Sequence, residues 1–239
     1  MPLPDYDIKN DSELRRGNLS EFAAGYVREL IIAGHLVPDE PLVIDELAEH
    51  LGVSVTPIRE ALLSLRVEGF VDLTRGKGFS VHPLSAADIE DVFSVHASVA
   101  GELAFRAASV ITDEEFRNLS ALHFEMQAAA VRGDLALLEE KNHNFHYALN
   151  HVVEAPKLLW VLRLCTRYVP RHFYPSIEGW PAATQHDHGA IIDALSVRDP
   201  EAARAAMSAH IVHSGELLAA HLRQVMSARD APSGGRQQD

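Results

Sequence analysis

From Pro83 to about residue 226 the chain carries helical periodicity almost without a break, and no run alternates as a strand does. That confines most of the molecule to an all-helical bundle. Cap signals divide it: Ser85-x-x-Asp88 and Thr112-x-x-Glu115 have the form of capping boxes, Gly133-Asp134 separates two helices, Pro156 suits a first helical turn, and Asp199-Pro200 places a cap before a proline. About six helices are expected, near 86–109, 113–131, 134–153, 156–173, 182–197 and 200–226, forming an antiparallel bundle. With 239 residues and 47% hydrophobic content, the chain has enough apolar material for a packed core.

The N-terminal third reads differently. Phe22, Tyr26, Val27, Leu30 and Ile31 recur at three and four, giving an amphipathic helix that ends at Gly34, and a proline-containing loop, HLVPDEPL, follows. IDELAEHLG and SVTPIREALLSLRVEG are two helical patterns joined by the short turn Gly52-Val53, with Ser54 as N-cap candidate, which is a helix-turn-helix. FVDLTRGKGFSVHP then holds two short β-prone runs around Arg75-Gly76-Lys77-Gly78, a β-hairpin in the place of a wing. The fold class expected is therefore mainly α: a winged helix-turn-helix of three helices and a small hairpin, then the bundle. Residues 1–17 are expected as a flexible arm, 18–83 as the winged domain, 84–226 as the bundle and 227–239 as a disordered tail.

Charge and cysteine content narrow the setting. Net charge is −13, so broad attraction to nucleic acid or anionic membrane is disfavoured, and DNA binding needs a local basic surface. One cysteine, Cys165, rules out an intramolecular disulfide; no apolar run approaches a membrane span, and the N-terminus has no signal-peptide core. A cytoplasmic protein with no membrane partner is expected. Fourteen histidines beside 21 Lys+Arg single out metal binding.

In a helix-turn-helix the second helix presents its N-terminus to the major groove. Here that end is Ser54, Val55, Thr56 and Pro57, with Arg59 one turn on; the hydroxyls and the helix N-terminus suit phosphate, and Arg59 suits phosphate or guanine. On the hairpin, Arg75, Gly76 and Lys77 are placed to follow the DNA backbone. ELAEHLGVSVTPIREALLSLRVEGFVDLTRGKGFSV resembles the winged helix-turn-helix of the GntR superfamily of transcriptional regulators, whose pattern runs LA-x-x-L-G-V-S-R-T-P-V-R-E-A-L, then L-x-x-x-G-L-V, then a glycine-containing wing. The likeness covers roughly Leu19 to Pro83 and departs at Val55, where the family usually has a base-reading arginine. An apolar side chain there reaches at most a thymine methyl. Between Leu19 and His82 five Lys/Arg face ten Asp/Glu, so weak single-domain binding and dependence on a homodimer reading two half-sites are expected.

On a helical wheel at about 100° per residue, Leu135, Leu138, Phe145, Leu149, Val152 and Val153 cluster around Asn142. His146 lies about 40° from its centre, His143 falls at the edge and His151 lies opposite. His188 shares a face with Ile191, Ile192 and Leu195, and His210 lies among Ala203, Ala206, Met207, Ser214 and Leu217. Three helices thus each offer an inward imidazole. His146, His188 and His210 with Asn142 make a donor set suited to zinc, nickel or a similar divalent ion; satisfied core histidines are the alternative for each taken singly.

EEKNHNFHYAL and HDHGAIIDALSVRDPEAARAAMSAHI, with their spacing, resemble the FCD effector-binding domain of the FadR subfamily: D/N-x-x-x-H, then H-x-x-I-x-x-A-L-x-x-x-D, then M-x-x-H. The resemblance implies metal ligands at Asn142, His146, His188 and His210, with asparagine where most metal-binding members have aspartate. His96 and Ala100 stand where relatives often carry Arg and Glu four apart. Family members respond to small carboxylates, so the resemblance implies a small organic acid effector. His96 and the arginines Arg163, Arg167 and Arg171, spaced by four, are its candidate contacts.

The function expected is a transcriptional regulator that binds double-stranded operator DNA with an affinity set by a carboxylate at or near a metal site. A metal-responsive regulator, with the ion as the signal, is the alternative. An enzyme is not expected: HExxH, a nucleophile elbow and a phosphate loop are all absent, and only Glu139 lies near enough to serve a zinc-dependent hydrolase as base.

Overall fold

The computed structural model describes residues 19–171 and 173–230, the last three as backbone only; the expected arm at 1–17 and the tail beyond residue 230 lie outside them. Helix α1 (Leu19–Ile32) turns its apolar stripe onto α2 (Ile44–Leu51) and α3 (Val55–Glu68). Gly52 closes α2 in the left-handed region (φ 65°), where a side chain adds strain, and its amide and that of Val53 satisfy carbonyls of the last turn. The hairpin is β2 (Val71–Thr74) and β3 (Gly78–Val81), antiparallel with Val71 opposite Val81 and Thr74 opposite Gly78. A third strand, β1 (Pro41–Leu42), pairs with the other edge of β3, in the order β1-β3-β2. The proline loop expected there contributes this strand because its partners, Ser80 for Pro41 and Phe79 for Leu42, lie far along the chain, beyond the reach of local pattern.

The bundle follows as α4 (Ala86–Val110), α5 (Asp113–Arg132), α6 (Leu135–Asn150), α7 (Pro156–Cys165), α8 (Trp180–Ser196) and α9 (Pro200–Asp230). Both expected capping boxes are formed: Ser85 and Thr112 accept from the amides of Asp88 and Glu115, whose carboxylates accept in return. α4 and α9 pack along each other closely enough that a β-carbon added at Gly215 would lie 2.6 Å from Phe93. The side chains of Leu138, Phe145, Leu149, Ile191, Met207 and Leu218 are fully buried between the helices.

Two helix ends differ from expectation. The helix expected over 156–173 stops at Cys165 and continues only as a 3-10 turn, Thr166–Tyr168, because Pro170 forces Val169 into extended backbone (φ −95°, ψ 108°). The last helix reaches Asp230, four residues into the stretch expected as tail.

Candidate effector cavity and nucleic-acid surface

Helices α4, α6, α7 and α9, with the start of α8 and the segment before it, line a partly open cavity of about 560 Å³. α6 supplies Asn142 and His146 one turn apart, and α9 supplies His210. His188 reaches the same point from α8, fully buried against the Phe145 ring at 4.5 Å. The three imidazoles meet through their Nε2 atoms: His146 and His188 lie 3.2 and 3.3 Å from His210, and all three ligand nitrogens fall within 4.8 Å of one another. The structure therefore brings together the three histidines that the wheel places inward.

This cluster is poorly satisfied by its own hydrogen bonds. His210 Nδ1 faces Asp187 Oδ2 at 3.4 Å, and His213 Nδ1 faces the same oxygen at 3.0 Å. With its Nδ1 proton directed at the carboxylate, His210 presents a bare Nε2 to its neighbours. Three nitrogens then share at most a pair of protons, and His188 Nδ1 and Asn142 Oδ1 are buried with no partner among the described residues. A divalent cation matches this donor set, since it accepts lone pairs from all three nitrogens at once. Burial, reinforced by His210, holds His146 and His188 far below the usual imidazole range, so both are neutral, as ligands must be. Burial alone would raise the Asp187 carboxyl, but the bonds from His210 and His213 outweigh it and leave it low.

The remaining candidates divide. His96 is buried on the cavity wall, and burial followed by the influence of His210 brings it down to about 4. Arg163 and Arg171 also line the cavity, Arg171 as a fork onto Glu139 at 2.8 and 3.2 Å. That pairing commits the one carboxylate considered as a base. Arg167 does not line the cavity. Because the helix ends at Cys165, the three arginines do not share a face, and Arg167 instead donates to Glu68 at 2.9 Å. His143 and His151, read as solvent-facing, are exposed and also form part of the cavity wall; burial, then Arg171, brings His143 down to about 4.

Sequence reasoning missed Asp187 and two aromatic residues of the cavity wall, Phe93 and Trp180, which join Tyr174 there. Asp187 stands beside His188 in QHDHG, and His213 follows His210 by three, so the spacing was present without the packing that joins them. Tyr174 and Trp180 sit in or beside irregular chain that carries no periodicity.

At the other end of the molecule Ser54, Val55, Thr56 and Arg59 are exposed on the first turn of α3, and Arg75, Gly76 and Lys77 on the wing. Ser54 stands at the N-cap position, but its hydroxyl makes no capping bond. Pro57 is buried in the three-helix core and offers no contact surface; its part is to begin the helix.

An exposed helix N-terminus beside a wing, joined to a helical bundle that holds a cavity, is the architecture of a winged helix-turn-helix DNA-binding protein with an appended helical domain. The bacterial regulatory proteins, gntR family, match residues 19–81, and the FCD domain matches residues 91–213. Among similar proteins are the HTH-type transcriptional repressor RspR of Escherichia coli K12, 27% identical over 80% of this chain and 84% of its own, and the Nta operon transcriptional regulator of Aminobacter aminovorans, 29% identical over 76% and 86%. The solved structure of E. coli McbR/YncC superposes with a TM-score of 0.63 at 21% identity, over 89% of this chain and 99% of that one. The chain belongs to the GntR family of transcriptional regulators, in the FadR-like branch with an FCD effector domain. Among the described residues no helix is long and apolar enough to cross a membrane.

Proposed function

We propose that the cavity is the effector site and that His146, His188, His210 and Asn142 hold a divalent ion, zinc or nickel, to which a small organic acid binds by its carboxylate. The convergence of three Nε2 atoms on the wall of a 560 Å³ cavity carries this reading. Neutral ligands leave the ion its full charge, which attracts an anion. The cavity also selects the rest of the acid. Its volume equals that of roughly 19 liquid waters at about 30 Å³ each, more than a two- or three-carbon hydroxy acid fills, and Phe93, Leu162, Tyr174, Trp180 and Ile211 are apolar walls. An acid with an aromatic or branched apolar body fits. Ser54, Val55, Thr56, Arg59, Arg75, Gly76 and Lys77 contact operator DNA, and a cytoplasmic homodimer reads two half-sites.

The test is operator binding by fluorescence anisotropy, on a duplex selected from a random pool, with metal-free protein, with zinc alone, and with zinc plus aryl-alkanoates or short hydroxy acids. Affinity that moves only with zinc plus an aryl-alkanoate supports the proposal. A complete shift with zinc alone favours the ion as the signal, and indifference to every addition sinks both readings.

A further inference from the structure

Glu68 closes helix α3, the helix whose other end is offered to DNA, and a carboxylate there faces the negative end of the helix dipole. Its side chain is only 6% exposed, so the charge has also given up most of its water. The residue is tolerated because both oxygens are fully engaged. Arg28 of α1 donates to Oε2 through Nε at 3.0 Å and Nη2 at 2.8 Å. Ser64 donates to Oε1 at 3.0 Å, and Arg167, 99 residues away in the bundle, donates to the same oxygen at 2.9 Å.

The residue after Arg167 grips the same place. Tyr168 donates its hydroxyl to the backbone carbonyl of Glu68 at 2.9 Å, one of the carbonyls a helix end leaves without an internal partner, and its ring packs 4.5 Å from that of Phe70. Both grips come from the single 3-10 turn Thr166–Tyr168. The opposite side of this turn belongs to the cavity: Thr166 and Val169 line it, flanked by Arg163 and Arg171. The cavity-lining residues Thr166 and Val169 are therefore the immediate chain neighbours of the two residues that hold the recognition helix.

We propose that the Thr166–Tyr168 turn is the relay by which cavity occupancy reaches the DNA-reading helix, with Glu68 as the receiving residue. This rests on the reading of the cavity as the effector site. An occupant that pushes on Thr166 or Val169 shifts Arg167 and Tyr168 together. Hydrogen bonds keep to donor–acceptor distances of about 2.7–3.2 Å and weaken steeply as they bend, and a buried carboxylate that loses a cation is costly to leave in place, so the end of α3 follows the turn or lets go of it. The 14 residues of α3 act as a lever about 21 Å long. A tilt of about 5° at Glu68 displaces Ser54 and Val55 by nearly 2 Å, enough to change groove contacts.

The experiment is hydrogen–deuterium exchange on the full chain, read at the amides of residues 63–70. Leu159→Trp places an indole in the cavity from α7 and stands in for an occupant without any ligand. We expect it to change exchange at 63–70 by roughly fivefold or more, and to lose that effect in an Arg167→Met/Tyr168→Phe background, which keeps the apolar stems and removes both grips. An equal effect in both backgrounds, or none in the parent, overturns the relay. If the tryptophan variant does not fold, Leu159→Phe takes its place with the same outcomes. Zinc alone is run in parallel and read at residues 142–150: indifference there refutes the metal site and leaves the relay to be judged on the cavity substitution.

Discussion

Replacing His188 by alanine separates a metal ligand from an ordinary core histidine, because only a ligand makes the loss of stability depend on metal. The side chain is fully buried, between Phe145 and the other two imidazoles. Its loss leaves a hole of roughly 60 Å³, which at about 24 cal/mol per Å³ costs about 1.5 kcal/mol. Against this, the substitution deletes a buried Nδ1 with no partner among the described residues, a group whose burial costs about 1–3 kcal/mol. In metal-free protein the two nearly cancel, and His188→Ala should melt within a few degrees of the parent. With zinc at a hundred times the parent's dissociation constant, the parent gains about 2.7 kcal/mol. A variant weakened on the order of a hundredfold gains only about 0.4 kcal/mol under the same conditions. The gap of about 2.3 kcal/mol corresponds to roughly 5–9 °C for a chain of this size. Differential scanning calorimetry on chelator-treated and zinc-loaded samples measures both differences. An equal drop in the two samples would refute the reasoning and make His188 a core residue.

Asp187→Asn keeps the shape but weakens the acceptor that orients His210 and His213, so zinc affinity by calorimetry should fall ten- to a hundredfold; unchanged affinity would mean that packing alone sets the ring. Val55→Arg adds a bidentate donor at an exposed position at the start of α3, proposed to face the groove, and should shift selected half-sites toward guanine with about 1–3 kcal/mol of discrimination, measured by anisotropy against paired duplexes. No change in base preference would place Val55 outside the groove. Metal-free protein should lose stability from pH 7 to pH 5. Buried His96, held at about 4 against an ordinary 6.5, stays neutral in the folded state while the unfolded chain takes up protons below about pH 6.5. At pH 5 this one group costs about 2 kcal/mol. His96→Leu should melt with a correspondingly flatter pH profile, and an identical slope would refute the assignment.

What the sequence made legible were features set by neighbours in the chain. The capping boxes at Ser85 and Thr112, the Gly52 turn and the hairpin each need only a few adjacent residues to act together. The inward faces of His146, His188 and His210 were legible because period 3.6 places a residue relative to its own apolar stripe, whatever the stripe packs on. Asp187 was not: one residue from His188, it lies about 100° around the helix, and only the packing of α9 on α8 turns that flank toward His210. Arg167 was misplaced for a related reason. Spacing by four has meaning while a helix lasts, and Pro170 had already ended this one.

The charge balance of the winged domain decides how much leverage an effector needs. Of its five cations, Arg28 is committed to Glu68 inside the fold, leaving Arg59, Arg66, Arg75 and Lys77 on the surface against an acidic majority. With one phosphate contact each from Arg59, Arg75 and Lys77, as proposed above, the salt slope would be near −2.7 per domain at about 0.9 per contact. The proposed homodimer would reach about −5, half that of a strongly electrostatic repressor. Binding this shallow depends on the correct placement of both recognition helices at once, because loose phosphate attraction cannot hold a misaligned one. A coupling free energy of about 1–3 kcal/mol, typical of linked sites, is then sufficient to move the protein on or off its operator. Glu68 at the end of α3, its buried carboxylate held from the bundle by Arg167 and its backbone carbonyl by Tyr168, is a contact of that size.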